Sequence, residues 1–393
     1  MPRPQTPTHW VWLASWPVAT MFILSNSATP LYVSWQRDIG FSQSTLTWIF
    51  AVYIVGLLAS LLVSGPLSDR IGRKPVLLPA LALSLISCAI FLSASSVTAL
   101  IMARLLTGIS VGAIVSCGMA AVADIAGPHR KKLAALLSSS AMVFGSGVGP
   151  LFSGIVAEVM AAPIIPVFSV VLALILVSFA LVGKMPLHSR RQAGPLVRVP
   201  GVPRKAFVHL ILAIAVFAPG LSGTSFFLSL GPSLLYEITG NVSTAIAGIL
   251  VFLTFASATG VQFAAQRFSP GRLLAIGVAS TAMGMVMLFS AVTISSSVMI
   301  FVAATFIGAG QGAGQLAGFT LLNLIIPSTR LAEANSALSV GAYVPAATLS
   351  LIAGRVSDAT SIETSAITLS VILIIIAAFS AAAIFLFRRR IKQ

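Results

Sequence analysis

The sequence predicts an all-α membrane protein of twelve transmembrane helices arranged in two pseudo-symmetric six-helix halves. Three observations predict it. Of 393 residues, 58% are hydrophobic and 8% are charged, against roughly 25% charged in a soluble domain. No soluble fold covers that much apolar surface with so few charges, whereas lipid does. Apolar runs of about twenty residues, enough to cross a hydrocarbon core of about 30 Å, recur twelve times. A polar segment divides the first six runs from the last six.

The first run lies near residues 10–33 and follows a short N-terminus, MPRPQTPTHW, that lacks a cleavable signal pattern, so it is expected to be retained. The next five lie near 44–64, 75–94, 97–120, 133–157 and 163–183, and close an N-terminal half of residues 1–183. Residues 184–206, rich in Pro, Gly and positive charge, read as a cytoplasmic linker. The C-terminal half, 207–393, holds runs near 207–232, 242–264, 273–293, 297–322, 335–355 and 364–387. Shifting the chain by 196 residues lays Leu77 and Leu78 on Leu273 and Leu274, a faint internal duplication of the kind many membrane carriers show. Cys88 and Cys117 lie inside apolar runs and read as small core residues.

Charge placement sets the orientation. The net charge of +15 suggests nucleic acid until its positions are read. With both termini in the cytoplasm, 20 of the 23 basic residues fall in cytoplasmic segments, among them Arg3, Arg130, Lys184, Arg190, Arg191, Arg198 and Arg388–Arg390. Arg37 falls outside, while Arg104 and Arg355 fall within or at the end of spans. The expected location is therefore a bacterial inner membrane, as a multi-pass protein in contact with lipid and without a nucleic-acid partner.

Between spans two and three runs Gly65-Pro66-Leu67-Ser68-Asp69-Arg70-Ile71-Gly72-Arg73-Lys74. It reads as a tight turn at the membrane edge, with Asp69 near a helix N-terminus and Arg70 and Arg73 free to meet carboxylates. Span four carries Arg104-Leu105-Leu106-Thr107-Gly108, and span five carries Gly145-Ser146-Gly147-Val148-Gly149-Pro150-Leu151-Phe152-Ser153-Gly154. A guanidinium inside an apolar helix costs at least about 2.5–3.5 kcal/mol, so Arg104 faces a cavity or a partner. The small residues Gly145, Gly149 and Gly154 allow close helix packing, and Pro150 invites a kink.

These three stretches resemble signatures of the major facilitator superfamily, and the span-five stretch resembles that of its twelve-span drug:proton antiporters, with Ser153 standing where the pattern has glycine. The resemblance implies a transporter of the major facilitator fold that works by alternating access. It further implies a proton-coupled exporter of neutral or amphipathic organic compounds, an antiporter for efflux and drug resistance that acts as a monomer. It assigns Arg104 to proton coupling or substrate response, beside a structural reading in which the arginine bonds backbone carbonyls and locks two helices. It joins Asp69, Arg73 and Asp124 in a charge relay that latches the cytoplasmic side.

In that superfamily spans one, four, seven and ten line the cavity, which makes Asn26, Tyr32, Phe226, Gln311 and Gln315 the candidate substrate contacts. Each has a bland alternative as packing or helix glue. All eight acids lie at span ends or in loops, and cation exporters of this type keep a carboxylate in span one where this chain has Asn26. Neutral solutes fit better than cations, and Asp38, Glu158 and Glu237 remain as candidate proton carriers. No Ser-His-Asp order, metal spacing or nucleotide loop occurs, so no enzyme activity, cofactor or metal is expected. A sugar or metabolite symporter or uniporter of the same fold stands as the alternative.

Overall fold

A computed structural model describes residues 6–187, 200–240, 243–327 and 330–387. Arg3, most of the basic linker and the Arg388–Arg390 tail lie outside the described residues. Those described form helices joined by short turns, without a β-strand.

The first apolar run is broken in two. Helix α1 (Thr8–Ser27) stops, and α2 (Tyr32–Ile39) starts after four residues. Pro30 has no N–H to continue the ladder. Upstream of it, the Asn26 amide donates to the Phe22 carbonyl (3.0 Å) and the Ser27 hydroxyl to that of Ile23 (2.7 Å). The same device recurs where α9 (Phe207–Ser229) gives way to α10 (Gly231–Thr239) at Gly231-Pro232.

The other spans are α3 (Gln43–Ile71), α4 (Lys74–Leu92), α5 (Val97–Ala113), α6 (Met119–Ala126), α7 (Lys131–Val159) and α8 (Ile164–Lys184). A π-helical turn, Ile114–Gly118, joins α5 to α6. Then follow α11 (Thr244–Ala264), α12 (Pro270–Thr293), α13 (Ser297–Ile325), α14 (Leu331–Ala359) and α15 (Ile362–Leu386). Eleven of the described helical segments are long and apolar enough to cross a membrane. The twelfth expected span, α1, is 20 residues long but too polar to count among them. Its three tryptophans and its Ser25-Asn26-Ser27 end lower its hydropathy, and burial of most of its side chains removes the need for a lipid-facing surface.

The chain forms two compact units, Met1–Leu31 with Val52–Arg198, and Tyr32–Ala51 with Val199–Gln393. Helix α3 is therefore shared, its first residues belonging to the second unit. In the first unit α1 packs chiefly on α7, and α4 on α5 and α8. In the second, α13 is the central helix, flanked by α9, α11 and α12. Buried hydroxyls tie helices together, as Ser87 does from α4 to the Ala103 carbonyl of α5 (2.7 Å) and Ser380 from α15 to the Ala215 carbonyl of α9 (2.8 Å).

Glycine seats set the closest approaches, and they repeat. A Cβ on Gly108 would strike the Tyr53 carbonyl, and one on Gly112 would stand 2.6 Å from that of Leu57. In the second unit, Gly308 and Gly312 sit in the same way on the Thr254 and Ala258 carbonyls of α11. The two glycine pairs lie 200 residues apart, so the 196-residue offset read from the sequence, which suits the starts of α4 and α12, fails here because α12 has 24 residues where α4 has 19, while the turn that follows it is one residue shorter. The counterpart of Arg104 is thus Ala304, fully buried, rather than Ile300.

Candidate functional site

The Gly65–Lys74 stretch is mostly helix. Its first seven residues extend α3, and the turn is confined to Gly72 and Arg73, with Gly72 at φ +102°, a backbone region that L side chains rarely adopt. This geometry aims Arg73 at three partners. Its Nη1 donates to the Ser68 hydroxyl (2.6 Å) and to Asp69 Oδ1 (2.8 Å), and its Nε donates to Asp124 Oδ2 on α6 (3.1 Å). Burial works against the charge on Arg73, but the bond to Asp124 and the two carboxylates outweigh it and hold the guanidinium above its ordinary value. Arg70 points into the open, while Lys74 donates to the Gly183 carbonyl at the end of α8 (2.8 Å). The structure thus brings together Asp69, Arg73 and Asp124, and adds Ser68, which nothing in the sequence marked.

Arg104 is 2% exposed, and among the described residues no other charged side chain is as buried. Its Nη1 donates to the Ser25 carbonyl at 2.6 Å. Ser25 belongs to the last turn of α1, where Thr29 N–H bonds Asn26 instead, so this carbonyl needs a donor from outside the helix. A cation is favoured there because the carbonyl end of a helix carries partial negative charge. The guanidinium also lies over the Tyr53 ring, 5.8 Å from its centroid. Arg104 clamps α5 to the end of α1, which is the geometry of the helix-locking reading.

The span-five stretch forms the other side of that clamp. Cβ atoms on Gly145 and Gly149 would meet the α1 carbonyls of Ala19 and Ile23, the latter at 2.8 Å. Helix α7 runs unbroken through Pro150, and Ser153 and Gly154 are buried beyond it. The Ser153 hydroxyl turns back to the Pro150 carbonyl at 3.2 Å, so serine serves where the pattern has glycine.

The candidate cavity residues are held by protein partners. Asn26 is 7% exposed and bonded within its own helix. Tyr32 is 2% exposed and sits in a cluster with Trp35 and Phe50, its ring tilted against each at 5.3 Å. Phe226 is fully buried, edge-on to Phe227. Gln311 and Gln315 reach different neighbours: Gln311 accepts from Thr224 of α9 (3.3 Å), and Gln315 accepts from Gln262 of α11 (3.1 Å). Both remain half-buried. Asp38, Glu158 and Glu237 are exposed near helix ends. No cluster of three potential metal ligands occurs among the described residues.

The family model of the Major Facilitator Superfamily matches residues 11–264. Multidrug resistance protein MdtM of Salmonella typhimurium strain LT2 is 30% identical over 131 residues, 33% of this chain and 32% of its own. Multidrug resistance protein MdtL of Escherichia coli O45:K1 is 35% identical over 103 residues, 26% of each chain. The 3-(3-hydroxy-phenyl)propionate transporter of Escherichia coli K12 is 31% identical over 218 residues, 54% of this chain and 53% of its own. The chain thus matches between about a quarter and about a half of the length of these curated relatives. In fold it is similar to a bacterial homolog of the human lysosomal transporter Spinster, described as inward-facing and unoccupied (TM-score 0.78, 15% identity, 99% of both chains). It is also similar to a D-xylose-proton symporter (TM-score 0.74, 16% identity, 95% of this chain and 96% of the other). With the family model covering well over half of its length, the chain belongs to the Major Facilitator Superfamily.

Proposed function

We propose that the protein is a secondary active transporter, not an enzyme, that exports small neutral or amphipathic organic compounds in exchange for protons. The observation that carries this reading is the double clamp on α1. Arg104 holds the carbonyl end of α1 from α5, while Gly145 and Gly149 seat α7 on its backbone, so the polar turn at Ser25–Thr29 is positioned from two sides. In this reading α1, 20 residues and about 30 Å long, is the twelfth span. The chain comprises halves 1–183 and 207–393 joined by linker 184–206, with both termini in the cytoplasm of a bacterial inner membrane. The Asp69–Arg73–Asp124 cluster is its cytoplasmic latch, and the halves alternate about a midplane site. The relatives named for multidrug resistance support export.

A second reading, uptake of an organic metabolite by symport or uniport, draws on the relative named as a 3-(3-hydroxy-phenyl)propionate transporter and on the absence of a buried acid among the described residues. One experiment separates them. Cells expressing the wild type or Arg104→Ala at matched membrane levels are challenged with a panel of neutral and cationic toxic lipophiles. Protection that the variant loses supports export and a role for Arg104 in the cycle. Protection that survives leaves export standing and confines Arg104 to clamping α1. Absence of protection by the wild type overturns export in favour of the metabolite carrier.

A further inference from the structure

At the end of α3 away from Arg73, roughly 40 Å along the helix, a second acid contact holds it. The Asp358 carboxylate, on the last turn of α14, accepts the Gln43 N–H at Oδ1 and the Ser44 N–H at Oδ2, both at 2.9 Å. Helix α3 does not need this contact in order to form. Ser42 already caps it, accepting the Thr45 N–H at Oγ (3.2 Å) and the Leu46 N–H at its carbonyl (3.0 Å). Asp358 therefore serves docking rather than helix initiation.

A glycine one turn earlier on α14 completes the contact. Residues 354 and 358 share a face of the helix. A Cβ on Gly354 would strike the Thr47 hydroxyl and stand 2.8 Å from its methyl and 3.0 Å from the Gln43 carbonyl. Thr47 is fully buried, whereas Asp358 is exposed. An exposed carboxylate on backbone N–H groups is a modest interaction that water can replace. That suits a contact made and broken in each cycle. The repeat keeps an acid at this register: Glu158 is the penultimate residue of α7, as Asp358 is of α14, one 200-residue step away.

We propose that Asp358 and Gly354 form a releasable latch for the first turn of α3, acting as gating residues of the transport cycle. This rests on the reading of the protein as an alternating-access transporter, and in the orientation proposed above the latch lies on the outer side. Its test needs no substrate. Thr47→Cys is placed in the full-length protein, purified and reconstituted in lipid nanodiscs, and its alkylation by N-ethylmaleimide is timed. The native Cys88 and Cys117, both fully buried, set the background.

Adding Asp358→Ala should speed labelling of the position-47 thiol about tenfold, the order expected for loss of two backbone N–H bonds to an exposed carboxylate. Adding Asp358→Asn, which keeps one acceptor oxygen, should fall between. Adding Gly354→Ala should also speed labelling, because its methyl displaces α3 while Asp358 is still present. Should Asp358→Ala also expose Cys88 and Cys117 by unfolding, the Asn and Gly354 variants decide. Labelling that stays at the background rate in those variants overturns the latch and leaves the export reading untouched. Faster labelling in a protein that exports nothing supports the latch and refutes export alone.

Discussion

Replacing Arg104 with methionine isolates what the guanidinium does at the end of α1. Methionine refills most of the volume, so the cavity term is small. The variant loses a charge-assisted bond of 2.6 Å to the Ser25 carbonyl, worth about 1.5–3 kcal/mol when the acceptor is left buried and unpaired. It also loses the contact with the Tyr53 ring, worth roughly 0.5–2 kcal/mol in a desolvated place. Relief from burying a cation returns part of this, leaving a net cost of about 2–4 kcal/mol. For a helical unit of this size, that lowers the melting temperature by roughly 5–10 °C. The protein carries its own reporters, since Cys88 and Cys117 are fully buried and react with a fluorogenic maleimide only on unfolding. A melting curve within about 1 °C of wild type would refute the clamp. Lost export with an unchanged melt would assign Arg104 to coupling instead.

Three further outcomes are expected. Gly108→Ala and Gly308→Ala should each destabilise by at least about 1–3 kcal/mol, because their methyls meet the backbone of α3 and α11; Gly183→Ala, with open space around it, should melt as wild type does. Arg73→Lys should reduce export nearly as far as Asp124→Asn, since an ammonium cannot reproduce the fork that reaches Ser68, Asp69 and Asp124 together; full export by Arg73→Lys would show that charge alone suffices. Gln262→Leu should alter the range of exported compounds as Gln315→Leu does, because the two amides are bonded to each other; a change seen with Gln315→Leu alone would leave Gln262 a packing residue.

Much of the fold was legible because each helix in lipid must satisfy its backbone within itself, so hydrophobic length and helix number are nearly the same information. The break inside the first apolar run was not read, although Pro30 and the run of Ser, Asn and Thr before it carry the signal. The Gly65–Lys74 stretch was recognised as a pattern, yet its form as a helix end followed by a two-residue turn depends on the positive φ of Gly72. Among the candidate site residues, the resemblance pointed to Asp69, Arg73 and Asp124. Ser68, Tyr53, Gln262 and Asp358 were missed because their roles come from what stands opposite them on another helix.

By itself the sequence determined an all-helical membrane protein, its family and the residues that break the apolar pattern, because burial in lipid makes every charge and every glycine conspicuous. The tertiary structure decided which backbone each glycine touches, which carbonyl Arg104 serves and which helix end Asp358 holds. Those pairings join residues 79 and 314 positions apart in the chain. They follow from the phase and tilt with which helices pack, which side-chain shape sets across the contact.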